Sequence, residues 1–254
     1  IMSKNIEKHK VESQEFFPFE ESKRGLLKFK TIHKTKIADT VTPVGLYLRF
    51  RDKFANTLLL ESSDYHSKEE SFSFICVEPV LTIKAEKHHL SLSYKGEELE
   101  NQKLENTNFY DVFQQYTNRI ELNCDPEIKG FNGLYGYTTY DGVQYFENIE
   151  FKSKEAPSAI PLMQYSFFRF VIAINHFNDE MIIIENLQEN ETTRLSEIET
   201  IIKSNAYNTQ DFSFEGEETS NCTDEDFIEY IRKGKAHCKR GDVFQIVLSR
   251  QFQQ

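Results

Sequence analysis

Alternating apolar and polar residues recur in short runs along the chain, and this period-two pattern predicts a protein built mainly on β-strands. The dipeptide Lys95-Gly96 is typical of a hairpin turn, and the stretch from Asn175 to Asp179 predicts another turn between two strongly β-prone runs. The predicted strands are Lys28–Lys36 (an edge strand), Thr57–Leu60, Phe72–Val77, Val80–Lys84, Leu90–Tyr94, Gly133–Thr139, Tyr165–Ile174 and Met181–Glu185.

Apolar residues at helical spacing predict four helices among these strands. The first has Thr42 as its N-cap and Pro43 at its first position, and it ends near Asp52–Phe54. Its apolar side is formed by Val44, Leu48 and Phe54, with Tyr47 beside them. The other helices are predicted over Asn108–Ile120, Thr192–Ser204 and from Thr223, a capping-box start, to a stop at Gly241. The fold class is therefore α+β with a sheet rich in antiparallel strands.

The segment Gly241–Phe252 reads as a helix stop followed by a further strand, and the chain ends two residues later at Gln254. A domain does not normally close on an unpaired strand, because the strand's N–H and C=O groups would lack partners. We therefore expect the chain to be the front part of a longer protein.

Composition narrows the class of protein. The net charge of −11 argues against binding to nucleic acid, whose phosphates need a basic surface. No apolar stretch is long enough to span a membrane, and the first residues lack the apolar core of a signal peptide, so a cytoplasmic protein is expected. The four cysteines are far apart and indicate reduced, packed thiols rather than a disulfide framework or zinc site.

The chain divides into four predicted segments. Residues 1–25 are a charged lead-in, and 26–204 form one domain. The polar stretch 205–222, rich in Asn, Thr, Ser and Glu, is the predicted linker. Residues 223–254 begin a second domain.

A strand end carries the most suggestive chemistry. The apolar run Leu58–Leu60 is followed by Glu61 and Ser62, so a carboxylate and a hydroxyl are delivered to one point. Glu61 is suited to a ligand ammonium group and Ser62 to a hydrogen bond with it. An ordinary strand-end turn explains the same residues and stays open as an alternative. By contrast, the glycines of Gly130–Gly136 lack the Lys-Ser/Thr end of a phosphate loop.

Four segments in order resemble anthranilate synthase component I, over roughly residues 26–254. Leu58–Ser62 is similar to the family's Leu-Leu-Glu-Ser motif, and Ser71–Ile75 resembles its Arg-Tyr-Ser-Phe-Ile strand. Gly133–Glu147 is similar to the Gly-Leu-x-Gly-Tyr…Tyr-Asp…Phe-Glu stretch, and Gly241–Arg250 resembles the start of the chorismate-binding domain. The resemblance implies that 26–204 is the N-terminal regulatory domain, and that 223–254 is the first helix and strand of a truncated chorismate-binding domain.

The resemblance also implies an activity. The family converts chorismate and ammonia to anthranilate and pyruvate in tryptophan biosynthesis, using Mg²⁺ and a glutamine amidotransferase subunit (component II) as partner. Tryptophan is the feedback inhibitor, and the motifs assign Leu60, Glu61, Ser62 and Ser71 to its site. Position 71 departs from the usual Arg or Lys. The family's later inhibitor-site, Mg²⁺ and chorismate residues are expected beyond residue 254, so we expect the chain alone to lack activity.

Gln245 separates this family from its relatives. The similar isochorismate and salicylate synthases carry a lysine at this position, which activates water. An amide cannot act as a base, so Gln245 indicates a nucleophile-side position in an enzyme that uses ammonia. Two alternatives remain: aminodeoxychorismate synthase component I, whose strand typically has Asn where Val247 stands, and a stand-alone amino-acid-binding module.

Overall fold

The computed structural model describes residues 25–62, 71–86, 88–104, 108–149, 160–204, 206–209 and 211–254. The predicted lead-in falls almost wholly outside these residues. The chain splits into two compact units, Ile1–Asn208 (unit 1) and Thr209–Gln254 (unit 2). No helix among the described residues is long and apolar enough to cross a membrane.

Unit 1 is built on a nine-stranded sheet in which all pairs are antiparallel except β1 with β6. Its strands are β1 (Leu27–Ile37), β2 (Leu58–Glu61), β3 (Phe72–Glu86), β4 (His89–Tyr94), β5 (Glu97–Lys103), β6 (Ile120–Asn123), β7 (Leu134–Thr138), β8 (Met163–Asn175) and β9 (Glu180–Leu187). Their order is β5-β4-β3-β8-β9-β1-β6, with β2 also pairing β3 and β7 also pairing β8. This architecture confirms the predicted α+β class with an antiparallel-rich sheet.

In the described part of unit 1 there are three α-helices, namely α1 (Pro43–Arg51), α2 (Phe109–Thr117) and α3 (Leu195–Lys203). Helices α1 and α3 cover the first core cluster, in which Ile75, Val77, Phe170, Ile172 and Ile183 pack with Leu46, Phe50, Ile198 and Ile201. Helix α2 covers the second cluster, which contains Leu81, Ile83, Leu90, Leu92, Val112, Tyr116 and Phe167. Each fully buried apolar side chain of this size contributes about 1.5–3 kcal/mol to folding.

Most predicted elements are confirmed, and the differences include the bounds of β3 and the presence of β5. The runs Phe72–Val77 and Val80–Lys84 form one strand, because a bulge between Pro79 and Leu81 absorbs the break in their alternation. The hairpin at Lys95-Gly96 leads into β5, whose polar sequence gives no strand signal; Lys95 and Gly96 have φ of +46° and +87°, as a two-residue hairpin turn requires.

The predicted apolar side of the first helix is only partly right, because Phe54 packs against the first core cluster but Val44 does not. Thr42 caps α1 by accepting from the N–H of Gly45 at 3.1 Å, as predicted. However, the buried residues of α1 are Leu46, Arg49 and Phe50, whereas Val44 is 47% exposed. The sequence has two apolar stripes on this helix, and contact with the sheet decides between them. The edge-strand prediction for β1 needs a similar correction, since β6 pairs with Leu27–Lys30 on one side.

A charged network is buried at the end of β9. Glu185 is fully buried and accepts hydrogen bonds from Arg169 Nη2 (3.0 Å), the Thr193 hydroxyl (2.6 Å) and the Arg194 N–H (2.9 Å). Arg194 also pairs with Glu78 at 2.7 Å. A buried carboxylate is tolerated only when its oxygens are satisfied in this way.

Unit 2 consists of helix α4 (Asp224–Arg240) and a two-residue ladder between β10 (Thr219–Ser220) and β11 (Phe252–Gln253). The capping box at Thr223 and the left-handed C-cap at Gly241, with φ of +81°, confirm the predicted helix ends. The predicted strand after Gly241 is wrong for residues 243–251, which form no ladder. In the described part of unit 2, the one strand that could pair with this stretch is β10, and β10 pairs with β11 instead.

Candidate functional site

The four residues assigned by motif to an amino-acid site lie together at one end of the β2–β3 ladder. Glu61 is paired with Ser73 in the antiparallel register, and Leu60 is paired with Phe74. The Ser62 N–H donates to the Phe72 carbonyl at 3.2 Å. Ser71 immediately precedes β3. Two sequence segments separated by residues 63–70 are therefore brought together at one strand end.

The carboxylate at this strand end is available to a ligand. Glu61 and Ser62 are exposed, whereas Leu60 and Ser71 are half-buried. Among the residues that the structure describes, none forms a hydrogen bond or ion pair with the Glu61 carboxylate. A carboxylate in this state can accept a charge-assisted hydrogen bond from an ammonium group, the strongest polar contact available at such a site.

An aromatic cluster lies beside Leu60, on the face of the sheet to which the Leu60 side chain points. The rings of Phe72 and Phe131 have centroids 5.0 Å apart, and those of Phe74 and Tyr135 are 5.3 Å apart. Burial raises the pKa of Tyr135, whose hydroxyl donates to the Phe131 carbonyl at 2.6 Å. This surface can take a large apolar side chain. In the sequence, the alternating residues Phe72 and Phe74 indicate this apolar surface, but their aromatic partners Phe131 and Tyr135 could not be inferred.

A serine–histidine pair at the same strand end was not found from the sequence. Ser73 Oγ lies 2.7 Å from Nε2 of His176, and the His176 N–H donates to the Ser71 carbonyl at 3.0 Å. Ser73 interrupts the apolar run Phe72–Val77, and that interruption was the only available signal. His176 lies in the β8–β9 turn, about a hundred residues along the chain, so no spacing connects the two.

Gln245 belongs to unit 2 and lies in its irregular stretch, where its side chain is exposed. The neighbouring residues hold this stretch along α4: a Cβ on Gly234 would lie 3.3 Å from Ile246 Cγ2, which shows how closely they pack. Arg250 anchors its end by bonds from Nε to Ser220 Oγ (2.7 Å) and from Nη1 to Asp224 Oδ1 (2.5 Å). The side chain of Gln245 is therefore exposed between residues that contact α4 and the segment before it.

The described residues do not identify a metal site. Across the described ranges, no group of three or more His, Cys, Asp or Glu side chains is placed to hold one. Mg²⁺ prefers octahedral oxygen coordination and is commonly held by one or two carboxylates together with several waters. No chemical step through Mg²⁺ can be derived from the described residues.

Comparisons with known proteins indicate the same family as the sequence motifs. A family model described as chorismate binding enzyme matches residues 55–254. Anthranilate synthase component 1 of Acetivibrio thermocellus is 27% identical over 233 residues, covering 85% of this chain and 46% of the relative. The protein of the same name from Lactococcus lactis is 28% identical over 233 residues, covering 85% of this chain and 47% of its own length.

Among solved structures, anthranilate synthase component I from Streptococcus pneumoniae TIGR4 matches with a TM-score of 0.48 and 20% identity. The match covers 85% of this chain and 48% of that chain. The chain thus spans about half the length of the curated relatives it matches.

Proposed function

The chain belongs to the family of chorismate binding enzymes, and we propose that it is part of an anthranilate synthase component I. The whole protein would convert chorismate and ammonia to anthranilate and pyruvate, in tryptophan biosynthesis. Curated relatives with that name match across 85% of the chain, which supports this assignment over other members of the family. Ammonia would come from glutamine through an amidotransferase partner, component II.

The role proposed for unit 1 is to bind tryptophan as a feedback inhibitor. One observation carries this proposal: Leu60, Glu61, Ser62 and Ser71 meet at a strand end where the carboxylate has no partner among the described residues. The Glu61 carboxylate would accept the ammonium group of the amino acid, and the Ser62 hydroxyl would hydrogen-bond it. The motif also assigns Leu60 to this site, but neighbouring strand residues point to opposite faces, so Leu60 and the aromatic cluster lie on the other face of the sheet from Glu61.

Unit 2 would contribute to the catalytic domain. Gln245 has an amide that can hydrogen-bond but cannot remove a proton from water, which suits an enzyme whose nucleophile is ammonia. The remaining chorismate and Mg²⁺ groups would lie in residues other than these. We accordingly propose that the chain alone lacks the reaction, and that inhibition is a coupling between the amino-acid site and a distant active site.

The activity is tested with the protein expressed from its complete reading frame. Given chorismate, Mg²⁺ and an ammonium salt, it should produce anthranilate, which is followed by its fluorescence. Formation of aminodeoxychorismate instead would assign the protein to the folate route. Binding of tryptophan without any turnover of chorismate would support an amino-acid-binding module.

The inhibitor site is tested by calorimetry on the same protein. Glu61→Ala should weaken tryptophan binding at least about tenfold, because a charge-assisted hydrogen bond contributes about 1.5–3 kcal/mol. Glu97→Ala is a matched control, since Glu97 is also an exposed carboxylate at a strand end. Equal affinity in wild type and Glu61→Ala would remove Glu61 from the site.

A further inference from the structure

Ser73 is a fully buried residue with a hydroxyl, although its neighbours in the same row on β8 and β9 are apolar. The row continues from Ser73 to Ile174 on β8 and Met181 on β9, both in the first core cluster. An apolar side chain would suit this position, whereas a hydroxyl buried without a hydrogen bond costs free energy. The hydroxyl is tolerated because His176 Nε2 lies 2.7 Å from it. The pair supplies a directional contact that apolar packing lacks.

His176 is fixed by two independent contacts. Its ring meets Ser73, and its backbone N–H donates to the Ser71 carbonyl at 3.0 Å. The turn that holds it is itself ordered, because Asn175 Oδ1 accepts from the Phe177 N–H at 2.8 Å. The β8–β9 turn is therefore attached to the start of β3 through both the imidazole and the backbone N–H of His176.

The pair acts directly across the ladder from Glu61. Residues opposite each other in an antiparallel pair have Cβ atoms about 4.5–5.5 Å apart and lie on the same face. Strand β2 is four residues long and, in the described part of the chain, pairs with β3 alone. The position of Glu61 is consequently set by the start of β3, which is held by its ladder with β8 and, at Ser73, by the bond to His176.

We propose that Ser73 and His176 are positioning residues for the amino-acid site, which fix the start of β3 and thereby the direction of the Glu61 carboxylate. This inference rests on the proposed function, since it assigns the two residues to the same tryptophan site. Neither residue contacts the ligand; both act through Glu61.

The test measures tryptophan affinity by calorimetry in the full-length protein. His176→Leu and Ser73→Ala should each weaken binding about tenfold, as expected for loss of a buried hydrogen bond. Together they should weaken it no further, because both remove one interaction. His176→Gln should restore most of the affinity, since its amide can pair with the hydroxyl. His89→Leu is the matched control: His89 is an exposed histidine bonded to Asn101 at 3.0 Å, on β4.

The outcomes separate this inference from the function on which it rests. If Glu61→Ala loses tryptophan but His176→Leu and Ser73→Ala bind as wild type does, the positioning role is wrong and the site stands. If the wild-type protein does not bind tryptophan, both are wrong. Should His176→Leu fail to fold, Ser73→Ala is compared with Ser73→Thr, which keeps the hydroxyl; equal affinities in that pair contradict the proposal.

Discussion

Two apolar stretches of similar composition adopt different structures in this molecule. Strand β8 is rich in Phe, Val and Ile and is paired over its length, with β3 on one side and with β7 and β9 on the other. Residues 243–250 contain Val, Phe, Ile and Leu in a comparable pattern, yet they form no ladder. The difference lies in the neighbouring strands, because a ladder forms only where another strand pairs with the backbone N–H and C=O groups.

Helix α4, which directly precedes that second stretch, does not depend on a partner strand. Its hydrogen bonds are internal, and its ends are set by Thr223 and Gly241. Acidic residues occupy its first turn and basic residues its last, as the helix dipole favours. Unit 1 is thus specified by contacts between distant residues, whereas the helix of unit 2 is specified by adjacent ones.

The largest expected effect comes from breaking the buried network in unit 1. Glu185→Ala should lower the free energy of unfolding by about 3–5 kcal/mol, because it leaves the Arg169 guanidinium buried with incomplete pairing. Urea denaturation measures the loss, and hydrogen exchange should show it in strands far apart in sequence. The exposed neighbour Glu189 is the control, and Glu189→Ala should change the stability by less than about 0.5 kcal/mol. A Glu185→Ala effect as small as the control's would contradict the account of unit 1.

A smaller loss is expected where β7 and β8 approach most closely. A Cβ on Gly136 would lie 1.9 Å from the Gln164 carbonyl oxygen and 2.7 Å from Tyr165 Cα, both backbone atoms. Gly136→Ala should therefore push the strands apart and cost about 1–3 kcal/mol in thermal or urea unfolding. Gly133→Ala offers a matched comparison, since nothing lies within 4 Å of its added Cβ. If the two variants are equally stable, the strand contact at Gly136 is looser than described.

The cap of α4 should matter less, and only locally. The Asp226 N–H donates to Thr223 Oγ1 at 3.1 Å, and Thr223→Ala removes that acceptor at a cost of about 1 kcal/mol. Faster amide exchange should appear in the first turn of α4 and leave the strands of unit 1 unchanged. Thr223→Ser keeps the hydroxyl and should exchange like wild type. Faster exchange in unit 1 would show that the helix is not specified locally.

The smallest effect is a pH dependence linking β1 to α3. Hydrogen bonds from Lys34 (2.6 Å) and Lys36 (2.7 Å) lower the pKa of Glu199 from an ordinary 4.5 to about 2. A lowered pKa stabilises the fold fully above about pH 4.5, and this contribution is lost as the pH falls toward 2. Its size should be below about 1 kcal/mol, because both lysines are partly exposed.

Unfolding of wild type and Glu199→Gln at several pH values measures this contribution. The difference between them should be constant from pH 5 to 7 and should shrink as the pH approaches 3. A difference that grows on acidification would have the wrong sign for the interaction.

The comparison also explains how far the sequence predicts the fold. Strands with alternating apolar residues, such as β8 and β9, and helices with local caps, such as α4, are confirmed. Strand β5 could not be predicted, because Glu97–Lys103 is polar and is ordered by its pairing with β4. The buried side of α1 could not be chosen either, since the sheet selects Leu46 and Phe50 over Val44.

The residues of the candidate site also differ in how far the sequence predicts them. Glu61 and Ser62 are adjacent in the chain, so a motif suffices to name them, and the β2–β3 register then brings Ser71 beside them. The bond between Ser73 and His176 joins residues from separate strands and has no sequence signature. The tryptophan assignment and the role of Gln245 stay predictions, to be decided by the binding and activity measurements described above.

The β3–β8 ladder has a consequence for how unit 1 unfolds. Ile75 and Val77 belong to the first core cluster, whereas Leu81 and Ile83 on the same strand belong to the second. The bulge at Pro79–Leu81 lets one strand serve both, with β8 paired to it on either side of the break. Neither cluster can melt while the other keeps this shared ladder intact. Unit 1 should accordingly denature in a single cooperative transition, and a protease should find few partly open forms to cut.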